Sequence, residues 1–249
     1  MGLGLRASGL GLIVVAACGG KPPPPAPKPA PPPAPKPTRV PIEDSDKEPD
    51  EGVTIINAHG HMEKEAIEAG LAPHNQELAD CYMKKVGRRR WLGGHVKIHW
   101  DIAKDGTITK VKLAAESDLG AWPIEKCLLE VARAASFDKP VGGDADFDIP
   151  LDFTAKGAFL PWDEDKALRA VGGQLAKLDD CGKAVPLPDD VVITVYVGPR
   201  GHAQSVGFSS DTSVIDEKWA ECAEKAAMKW RLPDPRGPVA KLAVRYRPK

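Results

Sequence analysis

The sequence predicts an α+β fold made of two tandem α-β-β-α-β modules, each a three-stranded antiparallel sheet covered by two helices. Two observations carry this prediction. An ungapped internal repeat runs through the chain at an offset of 95 residues, and both copies alternate apolar and polar residues with the period of half-buried strands. The chain has 249 residues and is 42% hydrophobic, which is enough for a real core.

The repeat places one module at about residues 55–155 and a second, divergent module at about residues 160–249. The offset aligns strand positions, a turn glycine, a cysteine and a terminal Pro-x-Gly: Val96 with Val191, Ile98 with Ile193, Gly106 with Gly201, Val111 with Val206, Cys127 with Cys222, Pro140 with Pro235 and Gly142 with Gly237.

The first copy contains a clear β-hairpin pattern. Its apolar positions are Val96, Ile98, Trp100 and Ile102, and they alternate with His95, Lys97, His99 and Asp101. Asp105 and Gly106 form the predicted turn, where glycine adopts positive φ without steric cost. Ile108, Val111 and Leu113 belong to the return strand. The polar residues of the first strand are predicted to lie on an open face.

The remaining elements follow the same order in both copies. The second hairpin contains Val191, Ile193, Val195, Val197, Gly201, Val206 and Phe208. The helices before the hairpins contain Leu78, Cys81 and Tyr82 after a capping Asn75, and Leu168, Val171, Leu175 and Leu178 before Cys181. The helices after the hairpins contain Ile124, Cys127, Leu128, Val131 and Ala135, and Trp219, Cys222, Ala223, Ala226 and Trp230 after a capping Asp216. The last strands contain Phe147, Ile149, Leu151 and Phe153, and Leu242, Val244 and Tyr246.

The N-terminus reads as an export signal over residues 1–17. Its apolar run is too short to span a bilayer of about 30 Å. Val15-Ala16-Ala17-Cys18 resembles a bacterial lipobox, which implies that Cys18 is acylated and becomes the new N-terminus. An ordinary secretory signal is the alternative. Gly19, in place of aspartate, favours the outer over the inner membrane, so we expect a lipid-anchored chain on the periplasmic side.

Residues 18–54 are predicted to be a linker. Twelve of the 25 prolines lie between Pro22 and Pro41, and polyproline II geometry gives this stretch a reach of about 60 Å. Its lysines could contact anionic lipid or cell wall. The acidic stretch 43–51 then reads as solvated chain.

The modules resemble a known family. "GHVKIHWDIAKDGTITKV", a helix with "EKC", "FDKPVGG" and a final strand look like the C-terminal domain of the AgmX/PglI type in gliding-motility and envelope proteins, which is similar to the C-terminal domain of TonB. The resemblance covers residues 75–153 and, more loosely, 165–247. It implies binding by addition of a partner strand. A lipobox stands where TonB has its membrane helix, which argues against energy transduction.

The cysteine count fits an exported protein. Lipidation of Cys18 leaves four cysteines and three pairings. The repeat selects Cys81 with Cys127 and Cys181 with Cys222, because each pair joins the two helices of one module. No C-x-x-C spacing indicates a thiolate metal site.

His59 and His61 are the main candidates for a metal site, with a third ligand from His74, His95 or His99. Exposed loop histidines are the competing interpretation, because the second copy lacks them. The arginine run at residues 88–90 (Arg88, Arg89 and Arg90) is predicted to be a solvated connection between helix and strand. The alternative is a site that binds anionic groups. Trp162, between the modules, is predicted to be an exposed anchor.

The function classes can be narrowed. A net charge of −1 gives no basic footprint for nucleic acid. No nucleophile elbow, P-loop or dinucleotide fingerprint is present, so we predict a non-enzymatic chain without a cofactor. The favoured hypothesis is a lipid-anchored envelope protein that binds other envelope proteins, by pairing through Phe147–Phe153 or Leu242–Tyr246. The alternatives are a metal-dependent protein using His59 and His61, and a structural spacer.

Overall fold

The computed structural model describes residues 59–183 and 185–248, which belong to one compact unit. They form an α+β fold with a three-stranded and a four-stranded sheet. We call residues 59–157 the first half and residues 158–248 the second half. Cys18 and the predicted signal and linker lie outside the described residues.

The first half contains three helices and three strands. They are α1 (Lys64–Leu71), α2 (Asn75–Val86), β1 (Gly94–Ile102), β2 (Ile108–Leu113), α3 (Trp122–Ala134) and β3 (Ala145–Phe153). Sheet 1 is antiparallel with the order β2-β1-β3. The hairpin turns at Gly106, whose φ is 91°, and Asp105 Oδ1 accepts a hydrogen bond from Thr107 N at 2.9 Å. The predicted hairpin is therefore confirmed.

The second half contains two α-helices, a long 3₁₀ segment and four strands. They are β4 (Leu160–Pro161), α4 (Glu164–Val171), the 3₁₀ segment Gly172–Lys183, β5 (Val191–Val197), β6 (Ala203–Ser209), α5 (Glu217–Ala227) and β7 (Ala240–Tyr246). Sheet 2 has the order β4-β7-β5-β6, in which only β4 is parallel to its neighbour.

Two helix predictions need correction and a third is confirmed. The predicted helix through Leu168 and Leu178 breaks after Val171, because Gly172 has φ 44° and Gly173 follows it. Asn75 does not cap α2: it is already helical, since the 3₁₀ turn Ala72–His74 leads straight into the helix. Asp216 does cap α5, by accepting hydrogen bonds from Lys218 N and Trp219 N.

Two disulfides hold the helical layers together. Cys81 on α2 is bonded to Cys127 on α3, and Cys181 in the 3₁₀ segment is bonded to Cys222 on α5. This is the pairing that the internal repeat selects. Each bond closes a loop of more than 40 residues, and each joins two elements that also pack against each other.

Much of the outer face of sheet 2 is buried under the first half. Thr194 and Tyr196 on β5 are 2% and 0% exposed, although their neighbours Ile193 and Val195 already fill the inner core. The Tyr196 hydroxyl donates to Gly93 O at 2.5 Å, and burial raises the pKa of this phenol, so it stays a donor. Gly120, with φ 68°, lies flat against Thr194 and Tyr196, where a Cβ would approach the Thr194 methyl to 2.7 Å.

Lys241 on β7 contributes a buried positive charge to the contact between the halves. It is 8% exposed. Its Nζ donates to Gly93 O at 3.1 Å and lies 2.8 Å from Asp118 Oδ2. A buried charge is tolerated only when it is paired and hydrogen-bonded, and Asp118 and Gly93 supply both.

Glu125 of α3 ties the first half to the edge of sheet 2. Its side chain is 3% exposed, and it accepts hydrogen bonds from Phe208 N on β6 at 2.8 Å and from Ala121 N at 3.0 Å. Burial raises the pKa of this carboxyl to about 7. Hydrogen bonds from the backbone N–H groups of Phe208, Ala121 and Gly120 oppose the rise, and the negative charge of the nearby Glu224 adds to it. Lys126 on the same helix lies 2.9 Å from Glu221 of α5.

Glu125 makes stability depend on pH between about 4.5 and 7. Because the folded pKa is raised, its contribution is complete below the unfolded value and is lost as pH rises towards 7, a change on the order of 3 kcal/mol. Urea unfolding at pH 5, 6, 7 and 8 should show this slope. Glu125→Gln should remove it, and Glu130→Gln, exposed on the same helix, should keep it. Equal slopes in all three proteins would contradict the assignment.

The disulfides should supply much of the stability of each half. In the chain-entropy account, opening a loop of this length costs about 4 kcal/mol. The double variant Cys181→Ala, Cys222→Ala should therefore unfold at markedly lower urea concentration than the parent. A reduced parent protein opens both disulfides without a change of sequence and should unfold at a lower urea concentration than the variant. An unchanged unfolding midpoint in the variant would contradict the assignment.

Candidate functional site

The outer face of sheet 1 is polar and open. His95, Lys97, His99 and Asp101 alternate on β1 with the fully buried Val96, Ile98 and Trp100, as the sequence predicts. The neighbouring β3 contributes three exposed carboxylates, from Asp146, Asp148 and Asp152.

Histidines and carboxylates pair across this face. His95 Nδ1 lies 2.9 Å from Asp152 Oδ1, and His99 Nδ1 lies 2.7 Å from Asp148 Oδ1. His99 Nε2 is also 2.8 Å from Asp101 Oδ1. These contacts occupy the histidine rings with carboxylates of the same sheet.

The metal hypothesis gains no support from the described residues. His59 lies beside Asp144, and His61 Nε2 is 2.8 Å from Glu63 Oε1. Across residues 59–183 and 185–248, no group of three or more histidine, cysteine, aspartate or glutamate side chains is arranged to hold a metal ion. His59 and His61 are exposed, as the competing interpretation expected.

Strand β3 forms an edge of sheet 1. The backbone N–H and C=O groups of every second residue in this strand point away from β1. Gly60 N donates to Asp144 O at 2.6 Å, so the backbone of Asp144 faces outward. The ladder with β1 runs from Ala145 to Phe153 without a bulge. Alternation therefore turns the N–H and C=O groups of Asp146, Asp148 and Asp152 outward as well. Pro150 fits this phase, because its missing N–H falls on the unpaired side.

The outward groups of β3 beyond Asp144 have no backbone partner within the described part of the chain. The side chains on the inner face of this strand are also incompletely covered. Phe147, Ile149, Leu151 and Phe153 are only partly buried, although Phe147 stacks on Trp100 and Phe153 on Tyr82. The strand thus combines free backbone groups with a partly exposed apolar row.

The corresponding edge of sheet 2 is paired at its start, and its apolar row is buried. Leu160 N donates to Val239 O, and Trp162 N donates to Lys241 O, both at 2.8 Å, so β4 occupies the start of the β7 edge. Helix α4 packs on β7. Leu242, Val244 and Tyr246 on the inner face are 1–3% exposed.

The structure also gives the positions of Trp162 and of the arginine run at residues 88–90. Trp162 is not an exposed anchor: it is 7% exposed, because α4 folds over it and Lys166 Nζ lies 4.6 Å from its ring centre. Within the arginine run, Arg89 is partly buried and donates to the carbonyls of Lys85 and Val86 at the end of α2. Arg88 is exposed, and the Arg90 carbonyl accepts from Gly157 N at 2.6 Å.

Sequence reasoning missed β4, the residue at which α4 begins and the burial of β5 on both faces. The signals were present: Asp163 is a good N-cap residue and accepts from Lys166 N, and Ala167 and Val171 follow at helical spacing. In β5, Val192, Thr194 and Tyr196 join Ile193 and Val195 in a nearly continuous apolar run, which is typical of a strand buried on both faces.

Comparisons with known proteins found no match to this chain. No protein-family model matches it, and neither the curated proteins nor the solved structures contain a match. Among the described residues, no helix is both long and apolar enough to cross a membrane.

Proposed function

We propose that this protein is a lipid-anchored, non-enzymatic adaptor of the bacterial cell envelope that binds a protein partner along the outer edge of β3. The single observation that carries the proposal is the difference between the β3 edge of sheet 1 and the β7 edge of sheet 2. The β3 edge leaves backbone groups from Asp146 onward and a partly exposed apolar row available, whereas β4 pairs with the start of β7 and the apolar row of β7 is buried. Free strand edges bind extended segments by adding a strand.

We further propose that the halves are two copies of one TonB C-terminal-like module with different roles. Each half contains a cysteine-bearing helical segment, a hairpin, a cysteine-bearing helix and a last strand, in that order. The hydrogen bond from Gly60 N to Asp144 O has a counterpart from Leu160 N to Val239 O. The second copy packs the inner face and much of the outer face of its sheet within the protein, and the first copy keeps its edge for a partner.

The anchor and the spacer complete this function. Acyl chains on Cys18 would attach the chain to the membrane with about 0.8 kcal/mol per buried methylene, and the proline-rich linker would hold the β3 edge away from the bilayer. We place the protein on the periplasmic side, with the outer membrane favoured by Gly19.

Prolines on the outward positions of β3 provide the test of binding. Asp148→Pro with Asp152→Pro removes two outward N–H groups and leaves the ladder with β1 intact, because these N–H groups face away from it. The matched control, Asp148→Asn with Asp152→Asn, removes the same charges and keeps the N–H groups. We expect all three proteins to unfold at similar temperature.

Partner capture from envelopes, quantified by mass spectrometry, should then separate the variants. A protein recovered with the parent and with the asparagine control should be lost at least tenfold with the proline variant. Equal recovery with a folded proline variant would rule out binding along β3.

The anchor has its own test. The intact mass of the chain purified from envelopes should correspond to a protein that begins at Cys18 and carries acyl chains, and Cys18→Ala should remain unacylated and leave the membrane fraction. An unmodified Cys18 in the exported parent protein would contradict the lipid anchor.

A further inference from the structure

The pattern of side chains on β3 defines the chemistry of the partner strand. Along the eight residues from Asp146 to Phe153, carboxylates occupy three of the four positions on the outer face, and the inner face carries four large apolar side chains. A strand added beside β3 would place its own side chains next to both rows, because neighbouring strands of a sheet share their two faces.

We infer that the partner of β3 is an extended segment of a separate polypeptide in which lysine or arginine alternates with apolar residues. Its apolar residues cover Phe147, Ile149 and Leu151, and its cations lie beside Asp146, Asp148 and Asp152. This inference rests on the proposed function and specifies its partner.

The carboxylates retain capacity for cations. Asp148 and Asp152 each use Oδ1 on a histidine, and their side chains are 40% and 81% exposed. The Asp148 Oδ2 is 3.5 Å from Lys97 Nζ, a loose contact, because Lys97 is held mainly by Glu116. Asp146, at the start of the edge, is exposed. Opposite charges placed across neighbouring strands stabilise the pair, and like charges destabilise it.

The same residues exclude other strands. A row of carboxylates and a proline on an edge strand discourages pairing with a purely apolar segment or with a second β3 edge, whose carboxylates would repel. Pro150 keeps its outward carbonyl but has no N–H, so one carbonyl of an added strand finds no donor on β3, and this restricts the register of pairing.

The chain's own N-terminal segments do not have this chemistry. The stretch from Lys21 to Pro41 contains twelve prolines, and each of them lacks the N–H donor that a strand position needs. The stretch 43–51 is mostly acidic and would be repelled by Asp146, Asp148 and Asp152. Neither stretch suits the β3 edge, and we assign that edge to a different polypeptide.

Two synthetic octapeptides with blocked ends test the inference, one alternating lysine and valine and the other alternating glutamate and valine. They are titrated into the full chain carrying Cys18→Ala, with amide resonances of β3 as the readout. We expect the lysine peptide to bind about tenfold more tightly than the glutamate peptide, a preference of the size that three exposed ion pairs provide.

Charge reversal should invert this preference. The variant Asp146→Lys, Asp148→Lys, Asp152→Lys should favour the glutamate peptide. The reversal Asp165→Lys, Asp180→Lys, Asp234→Lys makes the same change of net charge in the second half and should still favour the lysine peptide. If the first variant unfolds, Asp146→Asn, Asp148→Asn, Asp152→Asn replaces it and should bind both peptides equally.

The outcomes separate this inference from the proposed function. Equal binding of both peptides to the parent, abolished by the prolines at 148 and 152, would overturn the cationic partner and leave strand addition intact. Absence of binding by either peptide, with partner recovery unaffected by the same prolines, would overturn both. A preference that follows total charge in all reversal variants would also overturn the assignment to β3.

Discussion

The burial of the outer face of β5 is the constraint on which the rest of the structure depends. Tyr196 fills the contact between the halves and bonds to Gly93, and Lys241 reaches the same carbonyl. A strand with both faces buried cannot present a polar surface to solvent. The second half is therefore committed to internal packing, and the open sheet face of the protein belongs to the first half.

The two edges of the fold reflect the same division. At the β7 edge, β4 supplies backbone donors as far as Lys241 and α4 packs on the strand, so the start of this edge is paired and its apolar row is buried from within the chain. At the β3 edge, the covering segment reaches only Asp144, and α1 packs against Phe137, where Gly70 leaves no room for a Cβ. The local consequence is a partly exposed apolar row beside free backbone groups. A partner strand therefore gains both hydrogen bonds and apolar contacts at β3.

The buried carboxylate of Glu125 shows how one residue serves both halves. It accepts from Ala121 at the start of its own helix and from Phe208 on the free edge of β6. An unpaired N–H on β6 would otherwise be buried against α3 at a cost of about 1–3 kcal/mol. Gly207 is required beside it, because a Cβ there would lie 2.1 Å from Glu125 Oε1. This hydrogen bond joins residues 83 positions apart, so no local sequence pattern predicts it.

Local pattern in the sequence determined the hairpins, the last strands, the Asp216 cap and the polar face of β1, because alternation and turn chemistry act between near neighbours. It also determined which cysteines could meet, through the internal repeat. Only the tertiary structure decided that Thr194 and Tyr196 are buried, that β4 pairs with β7, that Trp162 is covered, and that β3 keeps an open edge. These features depend on which surface of one half meets the other, and such contacts arise from shape and hydrogen bonding between residues distant in the chain.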